Sequence, residues 1–132
     1  YDRIFLFTLA DLDARAGVRD RRYGLLRENG DPKPVYKALA RFLSVCGPRI
    51  EPDAPPRIDG GAPKGLVSIG WKRPDGRKLW MVWADKPLHV VLPGVRGGML
   101  HQPLQGTQSA LKAGASGLSV PVTAALQLLV LE

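Results

Sequence analysis

One cysteine stands in the whole chain, Cys46, so no intrachain disulfide can form. It closes an expected helix and has no histidine near it in sequence, which describes an inert thiol better than a nucleophile. Histidine is almost as scarce. His89 and His101 stand twelve residues apart, a spacing that gathers no metal site. Only three glutamates occur, Glu28, Glu51 and Glu132, and none falls on a strand end where a paired acid and base would be held at fixed separation. There is no phosphate-binding P-loop, no G-x-G-x-x-G and no G-x-S-x-G elbow; the GASG at 114–117 reads as a hairpin turn. No catalytic residue, metal ligand or cofactor is therefore assigned. No apolar run reaches the about 18 residues needed to cross a bilayer. The chain opens Tyr1-Asp2-Arg3 straight into IFLFTL, as a piece cut from something longer would, and its compartment stays open.

What is abundant is turn chemistry and positive charge. Fifteen glycines and 12 prolines in 132 residues favour short strands over long helices. Hydrophobic content of 45% and charged content of 23% describe one globular domain, or a small domain with an appendage. The formal charge of +7 invites a nucleic-acid reading, but the positives are scattered. The densest run, KRPDGRK at 72–78, straddles a Pro-Asp-Gly turn where solvated charge is ordinary. The expectation is a basic solvated surface with no nucleic-acid partner.

Periodicity divides the chain. IFLFTL at 4–9 is apolar on both faces, as in a parallel strand covered by helices. A polar, arginine-rich loop follows. Then PVYKALARFL carries Val35, Leu39 and Phe42 on one helical face with Tyr36, Ala40 and Leu43 beside them. Asp31 before Pro32 suits an N-cap with proline at N1, and Lys33 before Pro34 suits one equally. Gly47-Pro48 ends the helix. Residues 47–64, rich in proline and glycine, read as a linker. Beyond it the period becomes two: strands are expected at 65–71, 77–84 and 87–92, with shorter ones at 98–103, 109–113, 117–122 and 125–132. The fold class is mainly β, a small antiparallel β-sandwich (65–132) preceded by one β-α unit (1–46). Trp71, Trp80 and Trp83 lie inside apolar strands, so core or interface packing is expected of them; sugar stacking is the alternative role.

The order of these segments resembles the C-terminal end of a retaining (β/α)8-barrel glycoside hydrolase of the β-xylosidase and exopolysaccharide-hydrolase type. The resemblance is carried by IFLFTLADLD, then by Tyr23-Gly24-Leu25-Leu26, Asn29-Gly30-Asp31, Pro32-Lys33-Pro34 and Tyr36-Lys37-Ala38-Leu39, similar to the family pattern F/Y-G-L-L-x-x-D/N-G-x-P-K-P-A-Y-x-A-L. It implies that residues 1–46 are the last strand and helix of a truncated TIM barrel and that the sandwich packs on the barrel's side. It implies carbohydrate as substrate and the N-terminal barrel of the same protein as partner. The family's two catalytic glutamates belong to the fourth and seventh barrel strands, outside this chain. Asp11 and Asp13, at the mouth of the strand where barrel enzymes bind substrate, are the substrate-rim candidates. A fragment stripped of its barrel is expected to self-associate through apolar surface. The alternative is a carbohydrate-binding β-sandwich acting on its own.

Overall fold

The computed structural model describes Leu6, residues 8–11 and residues 23–132. The chain is mainly β, with antiparallel sheets and one described helix, α1 (Pro34–Cys46). Eight strands follow: β1 (Glu51–Asp53), β2 (Leu66–Lys72), β3 (Lys78–Ala84), β4 (Leu88–Leu92), β5 (Gly97–Gln102), β6 (Thr107–Lys112), β7 (Leu118–Val122) and β8 (Gln127–Leu131). Six of them form one sheet in the order β1-β2-β3-β8-β5-β6, and β4 with β7 makes a second sheet of two strands. Of the expected strand at 4–9, Ile4, Phe5 and Phe7 lie outside the described residues, and Leu6, Thr8 and Leu9 form no strand.

The pattern of side chains explains the layers. On β3, Trp80, Val82 and Ala84 point toward the two-stranded sheet, where they meet Val90, Leu92, Leu118, Val120 and Val122. Leu79 and Met81 point the other way and pack with Phe42, Val45 and Cys46 of the helix. The last strand, β8, does the same with every residue buried: Leu129 and Leu131 face the sandwich core, Leu128 and Val130 face the helix. A strand covered on both faces needs no polar alternation, which is why QLLVL reads as a continuous apolar run. Its one polar side chain, Gln127, is fully buried and satisfied. Its Nε2 donates to the Pro121 carbonyl at 2.9 Å, and its Oε1 accepts from Thr123 N–H at 2.8 Å, fixing the turn from β7 into β8.

Two expectations change in detail. The helix begins at the second of the two caps considered: Lys33 takes the extended N-cap conformation and Pro34 the first helical position. Asp31 instead closes the preceding turn, accepting Arg27 N–H on its carbonyl and the Asn29 amide on its carboxylate. The span 47–64, expected as a linker, is tied to the sandwich. Glu51–Asp53 pairs with Gly70–Lys72 as an edge strand, Asp59 N–H donates to Val91 O, and Ile58 is buried in the core. Its prolines sit where an edge strand and a loop tolerate a missing N–H.

Leu129, wholly buried at the centre of the large sheet, sets the stability prediction. Leu129→Ala should cost about 2–5 kcal/mol, whereas Leu104→Ala, on an exposed turn, should cost about 0.5 kcal/mol or less. Urea melts of the two variants check this; equal midpoints would contradict the core assignment.

Candidate functional site

Three groups of residues bear on function: a clasp at Asp11, the tryptophans, and an arginine-lined cleft beside the helix.

The clasp explains why the Gly24 and Pro-Lys-Pro segments are built as they are. The Asp11 carboxylate Oδ1 accepts from Gly24 N–H at 2.9 Å and from Lys33 Nζ at 2.5 Å. Ala10 bridges Leu26 in parallel and Leu26 bridges Pro32 in antiparallel fashion, with Leu25 N–H donating to Thr8 O and Lys33 N–H to Leu25 O. The approach is so close that a Cβ on Gly24 would stand 2.2 Å from the Ala10 carbonyl carbon and the Asp11 nitrogen. Only glycine fits there. The Lys33 ammonium holds the Asp11 carboxyl below the usual carboxylate range against the opposing effect of burial, and the Gly24 N–H adds to the lowering. Asp11, expected as a rim residue, thus sits with its carboxylate turned onto its own chain. Asp13 lies outside the described residues.

The tryptophans divide between two faces. Trp80 is 0% exposed and donates its indole N–H to Ser68 Oγ at 2.8 Å, leaving no ring face for a ligand. Trp71 and Trp83 are half-buried on the opposite face of the sheet, paired with Leu79 and Val67 respectively. They stand four residues apart along the β2–β3 ladder, roughly 13 Å at strand rise. Trp71 packs against the cluster under the helix, and its indole N–H is buried with no acceptor among the described residues.

The cleft was not legible as a site in the sequence. Its space of about 580 Å³ opens between the C-terminal half of α1 and the face of β5–β6. Arg41 comes from the helix, Arg73 and Arg77 from the β2–β3 hairpin, and His101 and Gln108 from β5 and β6; Val45, Met99 and Val130 make an apolar floor. Arg41 is fixed by donating to the Pro103 carbonyl at 3.1 Å and by lying over Gly106, where a Cβ would meet its guanidinium carbon at 2.5 Å. Arg77 and Arg73 share Asp75, at 2.8 and 3.3 Å. The Arg73 Nε–H is buried without an acceptor among the described residues. Burial, and then the charge of Arg73, depress the His101 imidazole below its ordinary value, so the neutral ring faces the cleft at pH 7. Burial pushes the Cys46 thiol up, with Arg73 opposing it weakly, and the thiol form persists at neutral pH. No sequence signal marks the cleft, because Arg41 reaches it only through the packing of the helix on the sheet.

Among the described residues no group of three or more histidine, cysteine or acidic side chains is gathered to hold a metal, and no helix is long and apolar enough to cross a membrane. Compared with known proteins, the chain matches no family model and no curated relative.

The clasp generates a pH prediction. Because folding lowers the Asp11 pKa, its contribution is fully present above the ordinary carboxylate range and is lost as pH falls through the lowered value. Amide exchange at Leu25 and Lys33 should accelerate in that acid window. In Asp11→Asn and Gly24→Ala the same amides should exchange faster already at pH 7, with the melting of the sandwich unchanged. Unaltered exchange in both variants would show that the clasp does not hold the segment.

Proposed function

We propose that this chain is the C-terminal part of a retaining glycoside hydrolase acting on an oligo- or polysaccharide, with residues 1–46 closing a (β/α)8 barrel and the sandwich as a non-catalytic accessory domain. The observation that carries this reading is the helix. At 100° per residue its apolar residues, from Val45 round to Tyr36, span about half the circumference. The large sheet covers only one margin of that arc, seating Phe42, Val45 and Cys46. On the other margin Leu43, 54% exposed, and Tyr36 are bare, as are Leu6, Leu9 and Tyr23 in the segment clasped to the helix start. A helix that belongs only to the sandwich has no reason to carry the uncovered margin. One that also closes a barrel does. Burial of apolar area is worth about 25 cal/mol per Å², so covering a few hundred Å² here is a several-kcal/mol driving force for docking. The parallel bridge between Ala10 and Leu26 also suits the rim of a parallel barrel, since parallel pairing is rare outside sheets covered by helices.

In this role the chain supplies scaffold rather than chemistry. Retaining hydrolysis needs a carboxylic acid and a carboxylate nucleophile about 5–5.5 Å apart. Of the three glutamates, Glu51 and Glu132 lie at an exposed edge strand and at the chain end, and Glu28 is in an exposed turn. The second reading, a carbohydrate-binding sandwich in its own right, is favoured by Trp71 and Trp83 sharing one sheet face. It requires that Trp83→Ala weaken oligosaccharide binding by the chain alone.

The coding sequence upstream of Tyr1 tests the main reading. It should contain the preceding barrel strands with a glutamate ending the fourth and another the seventh; a sequence without them contradicts it. The chain alone should show no turnover of aryl-glycosides. Turnover that disappears on changing a carboxylate of this chain would place the chemistry here instead.

A further inference from the structure

We infer that the cleft between α1 and the β5–β6 hairpin binds the carboxylate of an acidic, uronate-containing glycan. The inference deepens the carbohydrate reading above and rests on it for the sugar, but not for the charge. Three guanidinium groups from two separate segments, the helix and the β2–β3 hairpin, line one concavity, and among the described residues the only acid paired with any of them is Asp75, which partners Arg73 and Arg77. None of the lining residues is acidic. Arg41 has no acidic partner among the described residues and is held in place by the Pro103 carbonyl and the Gly106 backbone. It is therefore preorganised without being neutralised.

The cleft thus retains net positive charge over a partly apolar floor. A planar guanidinium fork matches a carboxylate with two parallel N–H donors. The Arg73 Nε–H is buried with no acceptor among the described residues, an uncommon state for a buried donor. The rest of the lining is what a sugar ring needs beside its carboxylate. Met99, Val45 and Val130 offer an apolar surface to ring C–H groups, while Gln108 and Thr107 bring amide and hydroxyl groups to ring hydroxyls. A compact inorganic anion would use the arginines and leave the floor and the amides idle. The neutral His101 ring beside Arg73 gives the site an internal reporter, since a bound anion favours the imidazolium and moves its titration upward.

Trigalacturonate, maltotriose and sodium sulfate, each titrated into the 132-residue chain by calorimetry, test the assignment. Trigalacturonate should bind at least about tenfold more tightly than maltotriose or sulfate, with affinity falling as salt rises. Arg41→Gln and Arg73→Gln should each weaken it by about tenfold or more, the order expected for losing one charge-assisted pair. Both variants should melt as the parent does, and Arg41→Lys should recover part of the loss. The His101 titration followed by NMR should move upward with trigalacturonate and not with maltotriose. Equal binding of the acidic and neutral trisaccharides, untouched by the arginine variants, would overturn charge recognition while leaving the carbohydrate reading intact. Sulfate binding as tightly as the trisaccharide would reduce the cleft to a bare anion site. Absence of any trigalacturonate binding would overturn the inference outright, and the hydrolase reading would still stand or fall on the upstream sequence.

Discussion

Burial of β8 on both of its faces is the constraint around which the rest of the molecule is arranged. Gln127–Leu131 lies between β3 and β5 in the large sheet, with the two-stranded sheet on one side and α1 on the other. Each layer that covers it is itself amphipathic and small. The two-stranded sheet has polar His89 and Ser119 on its outer face and could not persist alone. The helix, 13 residues long, is near the length at which an isolated helix is marginal in water. Both are stabilised chiefly by what they cover. The helix in turn places Arg41 above the β5–β6 turn and so creates the cleft, which connects a packing requirement of the last strand to a candidate ligand site.

The parts of this arrangement legible in the sequence are those set by local rules. Strands 66–72, 78–84 and 88–92 show apolar periodicity broken by Pro-Asp-Gly and Asp-Lys turns, and the structure places them within a residue or two of the expected bounds. Gly47 stops the helix with φ near 78°, its N–H bonded to Leu43 O. Where the reading fell short, a non-local contact decided. Glu51–Asp53 is exposed on every side chain and lacks any strand periodicity; it is a strand only because β2 offers an unpaired edge. KRPDGRK reads as a solvated turn, yet Arg73 is mostly covered because β2 and β3 carry its hairpin under the helix end. Asp11 reads as a loop acid until Gly24 and Lys33, 13 and 22 residues away, are folded onto it.

Two surfaces of opposite character therefore meet at the helix. One margin of α1 is apolar and uncovered, carrying Tyr36 and Leu43; the end nearest β5–β6 carries Arg41 and opens onto the cationic cleft. The first fits docking against a further folded unit, and the second fits a charged group on a soluble ligand. Their separation on one helix allows a single element to serve as a structural joint and as a wall of a binding site. The clasp at Asp11 fixes the approach of the chain to that helix, so the joint is positioned by a buried-edge ion pair and a glycine rather than by a long rigid connection.

The claim on which this account turns is that the uncovered margin of α1 is an interface missing its partner. Light scattering coupled to size exclusion, with a dye that reports exposed apolar surface, tests it most directly when the chain is compared with a Tyr36→Glu, Leu43→Glu double variant. The account predicts a self-associating, dye-binding parent and a monomeric variant with little dye signal and an unchanged melting temperature. A strictly monomeric parent that binds no dye, indistinguishable from the variant, would contradict it.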